Sequence, residues 1–460
     1  MAKTWATSGA DLHLELAGSR GRAALERALR EAVQTGRLHP GTRLPSSRAL
    51  AQDLGVARNT VAEAYGQLVA EGWLIAVTGS GTRVADRVIE AVPPIAAPHA
   101  AGTFRYDLRA GHPDLSSFPR AAWLAAARKA LAAAPTRALG YGDPRGRPEL
   151  RHALAGYLSR ARGVRTDAER IVVCAGYTQA LALLCDVLTG HGATTMAIEA
   201  YGHRSHHQLM SAWGLRLRTA PVDAHGAVVA RFGHADAAVL TPAHQFPLGV
   251  ALAPHRRTEA VRWAATGALI VEDDYDGEFR YDRQAVGALQ ALAPQHVAYA
   301  GTASKTLAPG VRLGWLVLPA HLVDDVVTAK SSTDGQTSVL DQLTLAELIG
   351  SGGYDRHVRR CRLLYRRRRD RLVALLRERA PVVRITGVAA GMHVVAELPA
   401  GCAEADVVER ARARGLALEG LGAFGTADRP PALVIGYGTP PAHAYTTAIA
   451  RLAATLADLR

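Results

Sequence analysis

From residue 107 onward, short apolar runs alternate with longer polar or helix-forming stretches, and this alternation constrains the fold more than any other feature. The runs are RIVVC (170–174), TMAIE (195–199), AAVLT (237–241), ALIVE (268–272), HVAYAG (296–301) and LGWLVL (313–318). Apolar runs of this length suit strands covered on both faces. Strands separated by helices give a parallel sheet in an α/β layer architecture. After about residue 330 the pattern turns more helical, with shorter strands at VVRITG, HVVAEL and ALVIGYG. The expectation for 107–460 is a large lobe over about 140–330 and a smaller α+β lobe from about 107–139 plus 331–460. At 460 residues the chain exceeds one ordinary core, so further domains are expected.

Residues 1–85 carry a different pattern. Leu25, Leu29, Ala32 and Val33 share one helical face, and Gly36, Pro40 and Gly41 end that helix. A second helix follows Pro45, capped by Ser46 or Ser47, buries Leu50 and Leu54, and stops at Gly55. A third places Val61, Tyr65 and Leu68 inward. WLIAV, TGSGT and RVA then read as a short β-hairpin. Helix, helix, turn, helix and wing is the order of a winged helix-turn-helix. Residues 86–106, including AVPPIAAPHAAG, read as a semi-rigid Ala/Pro-rich linker or as an irregular arm packed on a domain.

The third helix begins with Arg58, Asn59 and Thr60, opposite its apolar face. Side chains at a recognition-helix N-terminus reach base edges in the major groove, where Arg grips guanine and Asn grips adenine. Arg43, Ser47 and Arg48 flank the second helix, where phosphate contacts fall. Gly81 and Arg83 lie on the wing, within reach of backbone or minor groove. The alternative is a small helical domain with solvated arginines. Net charge is +13, but residues 1–85 contribute only 10 − 7 = +3, so placement of the cations carries the argument for double-stranded DNA.

A second constellation lies in the α/β region. Lys305 follows the strand HVAYAG, with Thr302, Ser304 and Arg312 around it. Asp273 follows the strand ALIVE, with Tyr275 two residues on. Gly176, Tyr177 and Thr178 join a strand to a helix whose N-terminal amides form an anion site. Tyr201 follows TMAIE, and Tyr141 lies in LGYGDPRGRPELR. A Schiff-base lysine, a carboxylate for a pyridinium nitrogen, a ring stack and a phosphate cradle are what pyridoxal 5'-phosphate requires. The alternatives are a solvated lysine, core tyrosines, and an acidic loop or metal site at EDDYDGEF; no metal is expected.

The N-terminal run LPSSRALAQDLGVARNTVAEAYGQLVAEGWL with its wing TGSGTRVA resembles the winged-helix domain of the GntR regulators. YGDPRGRPELR, AGYTQAL, TPAHQFPLG, VEDDYDGEF, GTASKTLAPGVRLGW, VRRCRLLYRRRRDRL and AAGMHVVAELP resemble fold-type I aminotransferases. In this order the full set resembles the MocR/GabR subfamily of GntR-type transcriptional regulators. The resemblance implies Lys305 as the Schiff-base lysine, Asp273 as the pyridinium partner, Tyr275 near the ring 3-oxygen, and Thr178, Thr302, Ser304 and Arg312 around the phosphate. It puts Gln245 or Phe246 against the ring and Tyr141 at a phosphate across a homodimer interface. Two departures stand out. Glu199-Ala200-Tyr201 is two residues shorter than the family's run before the stacking tyrosine, leaving the stack to Tyr201 or His203. The strand ALVIGYG lacks the arginine that aminotransferases bring to a substrate carboxylate, and Arg429 is the nearest candidate.

The resulting expectation is a PLP-dependent, DNA-binding regulator that senses PLP or its adduct with an amine or amino-acid effector. The alternative is an active aminotransferase with a tethering N-terminal domain. The arginine run Arg359–Arg371 reads as the solvated face of a small-lobe helix, with Leu363, Leu364 and Leu372 inward. Cys174, Cys185, Cys361 and Cys402 show no disulfide or metal spacing, which suggests reduced thiols. Without a signal pattern or an apolar run of ~20 residues, a soluble cytoplasmic protein is expected.

Overall fold

A computed structural model describes residues 21–86, 104–281, 286–425 and 429–459. They belong to two compact units divided between Ala101 and Gly102. Most of the expected linker, 87–103, lies outside the described residues.

The first unit contains α1 (Arg22–Gln34), α2 (Ser47–Leu54), α3 (Arg58–Ala70), β1 (Leu74–Val77) and β2 (Gly81–Val84). Leu25 and Leu29 of α1, Leu50 of α2, Val61 and Leu68 of α3, and Leu74 and Val84 of the wing share one core. Ser46 is the cap: its hydroxyl accepts from the Ala49 amide at 3.2 Å. Gly55 closes α2 in the left-handed conformation at φ 65°. The Tyr65 hydroxyl donates to the Pro45 carbonyl at 3.0 Å, fixing α3 against the entry to α2. The wing is antiparallel, pairing Leu74 with Val84 and Val77 with Gly81.

In the second unit, β3 (Tyr106–Asp107), α4 (Arg120–Ala133) and α5 (Pro148–Arg162) precede β4 (Ile171–Cys174), α6 (Tyr177–Gly190), β5 (Thr195–Glu199), α7 (Arg204–Ala212) and β6 (Arg216–Ala220). A small hairpin, β7 (Val222–Asp223) and β8 (Gly226–Ala227), leads to β9 (Ala237–Leu240), α8 (Pro254–Ala264), β10 (Leu269–Asp274), β11 (Val297–Thr302) and β12 (Gly314–Val317). The remainder is α9 (Val323–Thr333), α10 (Val339–Gly350), α11 (Gly353–Arg379), β13 (Arg384–Thr386), β14 (His393–Glu397), α12 (Glu404–Ala413), β15 (Leu416–Ala417), β16 (Glu419–Gly420), β17 (Ala432–Gly436) and α13 (Ala442–Ala457).

Seven strands form the large sheet in the order β4-β12-β11-β10-β9-β5-β6. All neighbours are parallel except β12, which is antiparallel to both β11 and β4. The apolar run LGWLVL therefore departs from the expected parallel arrangement. No crossover helix separates β11 from β12, and a parallel return requires one. The loop that reverses the chain is the one that carries Lys305.

The lobe division also differs from expectation. Ala126 of α4 and Leu345 and Leu348 of α10 pack with Leu150, Ile171 and Trp315, and Val326 of α9 packs with Leu184 and Leu316. These helices bury their apolar faces on the large sheet, so the large lobe takes in α4, α9 and α10. From the expected 107–139 portion, the segment beginning at β3 joins the small lobe. There β3 runs parallel to β15 and Leu108 enters the core of the β13-β14-β17-β16 sheet with Val407 and Leu452. Helix α11 contributes to both cores: Tyr354 and Val358 to the large lobe, Leu372 and Leu376 to the small. Among the described residues no helix is long and apolar enough to cross a membrane.

Candidate functional site

The C-terminal ends of β10 and β11 lie side by side, with Asp273 opposite Ala300 and Asp274 opposite Gly301. Ligands of doubly wound sheets bind outside this edge, where the strand order departs from chain order. Lys305 lies three residues past β11, and its Nζ donates to the Gly111 carbonyl at 2.6 Å. Burial pulls the Lys305 amine below its ordinary value, opposed by the charges of Asp273 and Asp276. Burial pushes the Asp273 carboxyl up to about 8, against the pull of the Lys305 charge. Asp273 Oδ1 has no hydrogen-bond partner among the described residues. A buried orphan acceptor beside an amine is a costly arrangement, which suits a site built for a cationic or N–H-bearing group.

The other acids of EDDYDGEF diverge into separate structural roles. Glu272 accepts from the Leu289 and Gln290 amides at 2.7 and 2.8 Å. Asp274 receives a bidentate grip from Arg162 at 2.6 and 3.0 Å, Asp276 pairs with His244 at 2.8 Å, and Glu278 accepts from Tyr157 at 3.2 Å. The loop is neither an exposed acidic turn nor a convergent cation site.

The N-terminus of α6 lies against Arg312, seven residues after Lys305 in the chain. Gly176 precedes the helix at φ +87° and provides no side-chain cap, and Tyr177 and Thr178 occupy the first turn. A Cβ at Gly176 would sit 3.2 Å from the Arg312 guanidinium, so glycine keeps this space open. Arg312 adopts the left-handed conformation at φ 53° and donates to the Ala175 carbonyl. Thr302 Oγ1 accepts from the Ser304 amide at 3.1 Å and donates to Ser304 Oγ at 2.9 Å, which shapes the lysine loop. Helix amides and one guanidinium thus meet at the α6 N-terminus, an arrangement that suits an anion.

The wall of the site differs from expectation. The Gln245 amide does not face the lysine: its Nε2 donates to the Tyr201 carbonyl at 3.0 Å and to Glu199 Oε2 at 3.3 Å, and its Oε1 accepts from the Leu248 amide. Gln245 is drawn to the buried Glu199, while the Phe246 ring packs among His203, Tyr275 and Phe424. His203 stacks on Phe246, centroids 4.3 Å apart and planes 14° apart. His203 Cε1 and Lys305 Nζ lie 4.0 and 3.8 Å from the Cβ position of Gly111, so this imidazole is beside the lysine. Tyr201 is buried with Phe246, Phe424 and Val434 and bridges to Gly425. The Tyr275 hydroxyl lies 3.0 Å from His244 Nδ1, and its ring meets Phe246 edge-on at 5.8 Å. Burial lowers His203 to about 3 and His206 to about 4, so both are neutral near pH 7. Arg429 donates to the Val222 carbonyl at 2.6 Å, which engages the group expected for an effector carboxylate. Tyr141 is fully exposed. Gly111 and His206 carry no local motif; Gly111 stands 194 residues from Lys305, and only the fold brings them together.

On the first unit, Arg43, Arg48, Arg58, Asn59 and Gly81 are exposed, with Ser47 and Thr60 half-buried. Arg83 is partly engaged within the wing, donating to the Gly41 carbonyl at 3.1 Å and to Ser80 Oγ at 3.2 Å. It braces the wing against the loop that carries Arg43.

Comparison with known proteins divides at the same place. Residues 22–84 match the gntR family of bacterial regulatory proteins, and residues 106–432 match the aminotransferase class I and II family. The chain is 32% identical to the HTH-type pyridoxine biosynthesis transcriptional regulator PdxR of Corynebacterium glutamicum, covering 90% of this chain and 91% of that one. It is 34% identical to the probable rhizopine catabolism regulatory protein MocR of Rhizobium meliloti, covering 80% of each. Among solved structures, kynurenine aminotransferase of Pyrococcus horikoshii aligns with TM-score 0.69 at 26% identity, covering 77% of this chain and 91% of that one.

Proposed function

Because the chain belongs to the GntR-type transcriptional regulators that carry an aminotransferase class I and II domain, the group of MocR and PdxR, we propose that it binds operator DNA through α3 and the wing and reports the state of Lys305, with PLP as the bound cofactor. The observation that carries this reading is the lowered amine of Lys305 beside the orphan oxygen of Asp273, together with the meeting of Arg312 and the α6 N-terminus. These residues fit PLP: Lys305 for the covalent link, Asp273 for the pyridinium nitrogen, Thr178, Ser304 and Arg312 with the α6 amides for the phosphate. Bound PLP supplies an electron sink and a carbon that exchanges one amine for another.

The chain's own groups prepare that exchange. Burial holds Lys305 closer to the neutral, nucleophilic amine, and the Gly111 carbonyl orients it. A carboxyl whose folded value is about 8 takes up a negative charge readily only when a cation arrives, so Asp273 favours a protonated ring nitrogen. His203 and Phe246 supply aromatic faces. A homodimer is supported by Tyr141, fully exposed beside the exposed Leu139, an apolar surface suited to a second copy whose phosphate site Tyr141 would reach.

The test is absorbance of the purified protein with added PLP, alongside operator binding with and without it. Parent protein develops the visible band of covalently bound PLP, and Lys305→Ala does not. A band that survives in Lys305→Ala rejects the cofactor assignment. A second reading, an amino-group transferase tethered to DNA, is favoured by the intact lysine–aspartate pair. It predicts sustained transfer between amino acids and 2-oxo acids at ordinary enzymatic rates, on the order of 1 per second or faster.

A further inference from the structure

We propose that the solvent face of α11 is a second DNA-backbone contact, distinct from the winged unit. The proposal rests on the DNA-binding reading above. Helix α11 buries Tyr354, Val358, Cys361, Tyr365, Leu372 and Leu376 on one side. The opposite side exposes Arg356, Arg359, Arg360, Arg366, Arg367 and Arg371, and Arg377 continues the row. At ~1.5 Å per residue the row from Arg356 to Arg377 is about 32 Å long, close to one duplex turn of about 34 Å.

Three further observations favour a polyanion over a merely solvated face. First, a solvated helix face mixes signs at i,i+4, whereas here Arg356 and Arg360, Arg362 and Arg366, and Arg367 and Arg371 are like-charged pairs that weaken a helix. Among the described residues the acids of α11 are Asp355, which pairs with Arg160 at the margin of the row, Asp370 and Glu378, and Arg359, Arg367 and Arg371 have no ion pair there. Second, the row is rigid. Arg368, on the buried side, donates to Asp114 at 2.6 Å and to the Gly438 carbonyl at 3.1 Å, while Tyr354 and His357 bond Thr306 at 2.7 and 2.6 Å. Third, the net charge outside residues 1–85 is 13 − 3 = +10, and α11 alone, with eleven arginines and three acids, contributes 11 − 3 = +8 of it. On one side the flanking groove is lined by Arg120, Arg360 and Arg367, which widens the basic surface; on the other, Arg160 is paired with Asp355 at 2.7 Å, so the row is extended on one side only.

Phosphates are the ligand class that such a row fits. A duplex presents one negative charge per ~1.7 Å of axis, and arginine contacts release condensed counterions, making affinity steeply salt-dependent. The contact carries no base selectivity, so it adds affinity for any duplex.

The experiment is a salt titration of full-length protein binding to labelled operator and random-sequence duplexes. The triple variant Arg359→Gln/Arg367→Gln/Arg371→Gln is compared with parent, Arg58→Ala and the triple Arg→Lys variant. The Gln variant is expected to flatten the log K against log salt slope by about 2 to 3, roughly 0.9 per lost phosphate contact, equally for both duplexes. The Lys variant restores the slope, which a folding defect would not allow. An unchanged slope in the Gln variant, with Arg58→Ala still losing operator selectivity, overturns this proposal and leaves the winged-helix reading standing. Failure of the parent to bind either duplex overturns both. Binding of the parent to phosphatidylglycerol vesicles, lost in the Gln variant while DNA slopes stay the same, reassigns the row to lipid headgroups and overturns it as well.

Discussion

At Asp273, burial and charge work against each other. Its folded value of about 8 stands far above the ordinary carboxyl value near ~3.9, so the folded state holds the proton where the unfolded chain has lost it. Such a group stabilises the fold fully below pH ~4, and that contribution fades as pH rises toward 8. Glu199 and Glu272, each raised to about 7 by burial, act with the same sign. PLP-free protein should therefore lose thermal stability between about pH 4 and 8. Asp273→Asn should match the parent at pH 4 and exceed it by a few degrees in Tm at pH 8, since about 1 kcal/mol shifts Tm by ~2 °C or more. A parent and variant that stay parallel across this range would remove Asp273 as the source. These acids were only partly legible in the sequence. VEDDYDGEF places Asp273 after a strand, but nothing in the order of letters says that Asp274 turns to Arg162 and Asp276 to His244 while Asp273 is left with an orphan oxygen. The choice between Gln245 and Phe246 was not legible for a similar reason: only the fold brings Gln245 to the buried Glu199, 46 residues away.

At the scale of elements, glycines and caps give sharp tests. Gly176→Ala adds a Cβ against Arg312 at a φ of +87°, where side chains are strained. It should weaken PLP affinity at least tenfold by equilibrium dialysis, with Arg312 displaced from the cradle. Ser46→Ala should cost about 1 kcal/mol in chemical denaturation of the winged unit, whereas Ser47→Ala should be near neutral, because only Ser46 caps α2. The helices of the first unit were readable from apolar spacing because each buries a single face. The strands of the large sheet were readable from run length. Strand direction was not: LGWLVL looks like its neighbours, and only the missing helix between residues 302 and 314 reverses it. The inward face of α11 was misjudged at Leu363, which is 54% exposed, because arginines on both sides blur the apolar period. Arg368, buried and ion-paired, breaks the same rule from the other direction.

At the scale of the molecule, the gntR-type unit and the aminotransferase-like unit have separate cores. Arg58→Ala should lower operator affinity by roughly 1–3 kcal/mol with little change on random duplex, measured by anisotropy, because base contacts carry selectivity and phosphate contacts do not. Equal losses on both duplexes would make Arg58 a backbone contact. The match to regulators over most of the chain shows why sequence order alone carried the family so far: the motifs are local. What it could not carry is the set of long-range meetings, Gly111 with Lys305 above all. One such meeting has a mechanical outcome. A single helix, α11, is a structural member of two cores at once, so neither lobe can melt while the other keeps that helix intact. Heating should therefore produce one calorimetric transition for residues 104–459, and a substitution such as Leu372→Ala in the small lobe should lower the melting point reported by Trp315 in the large one.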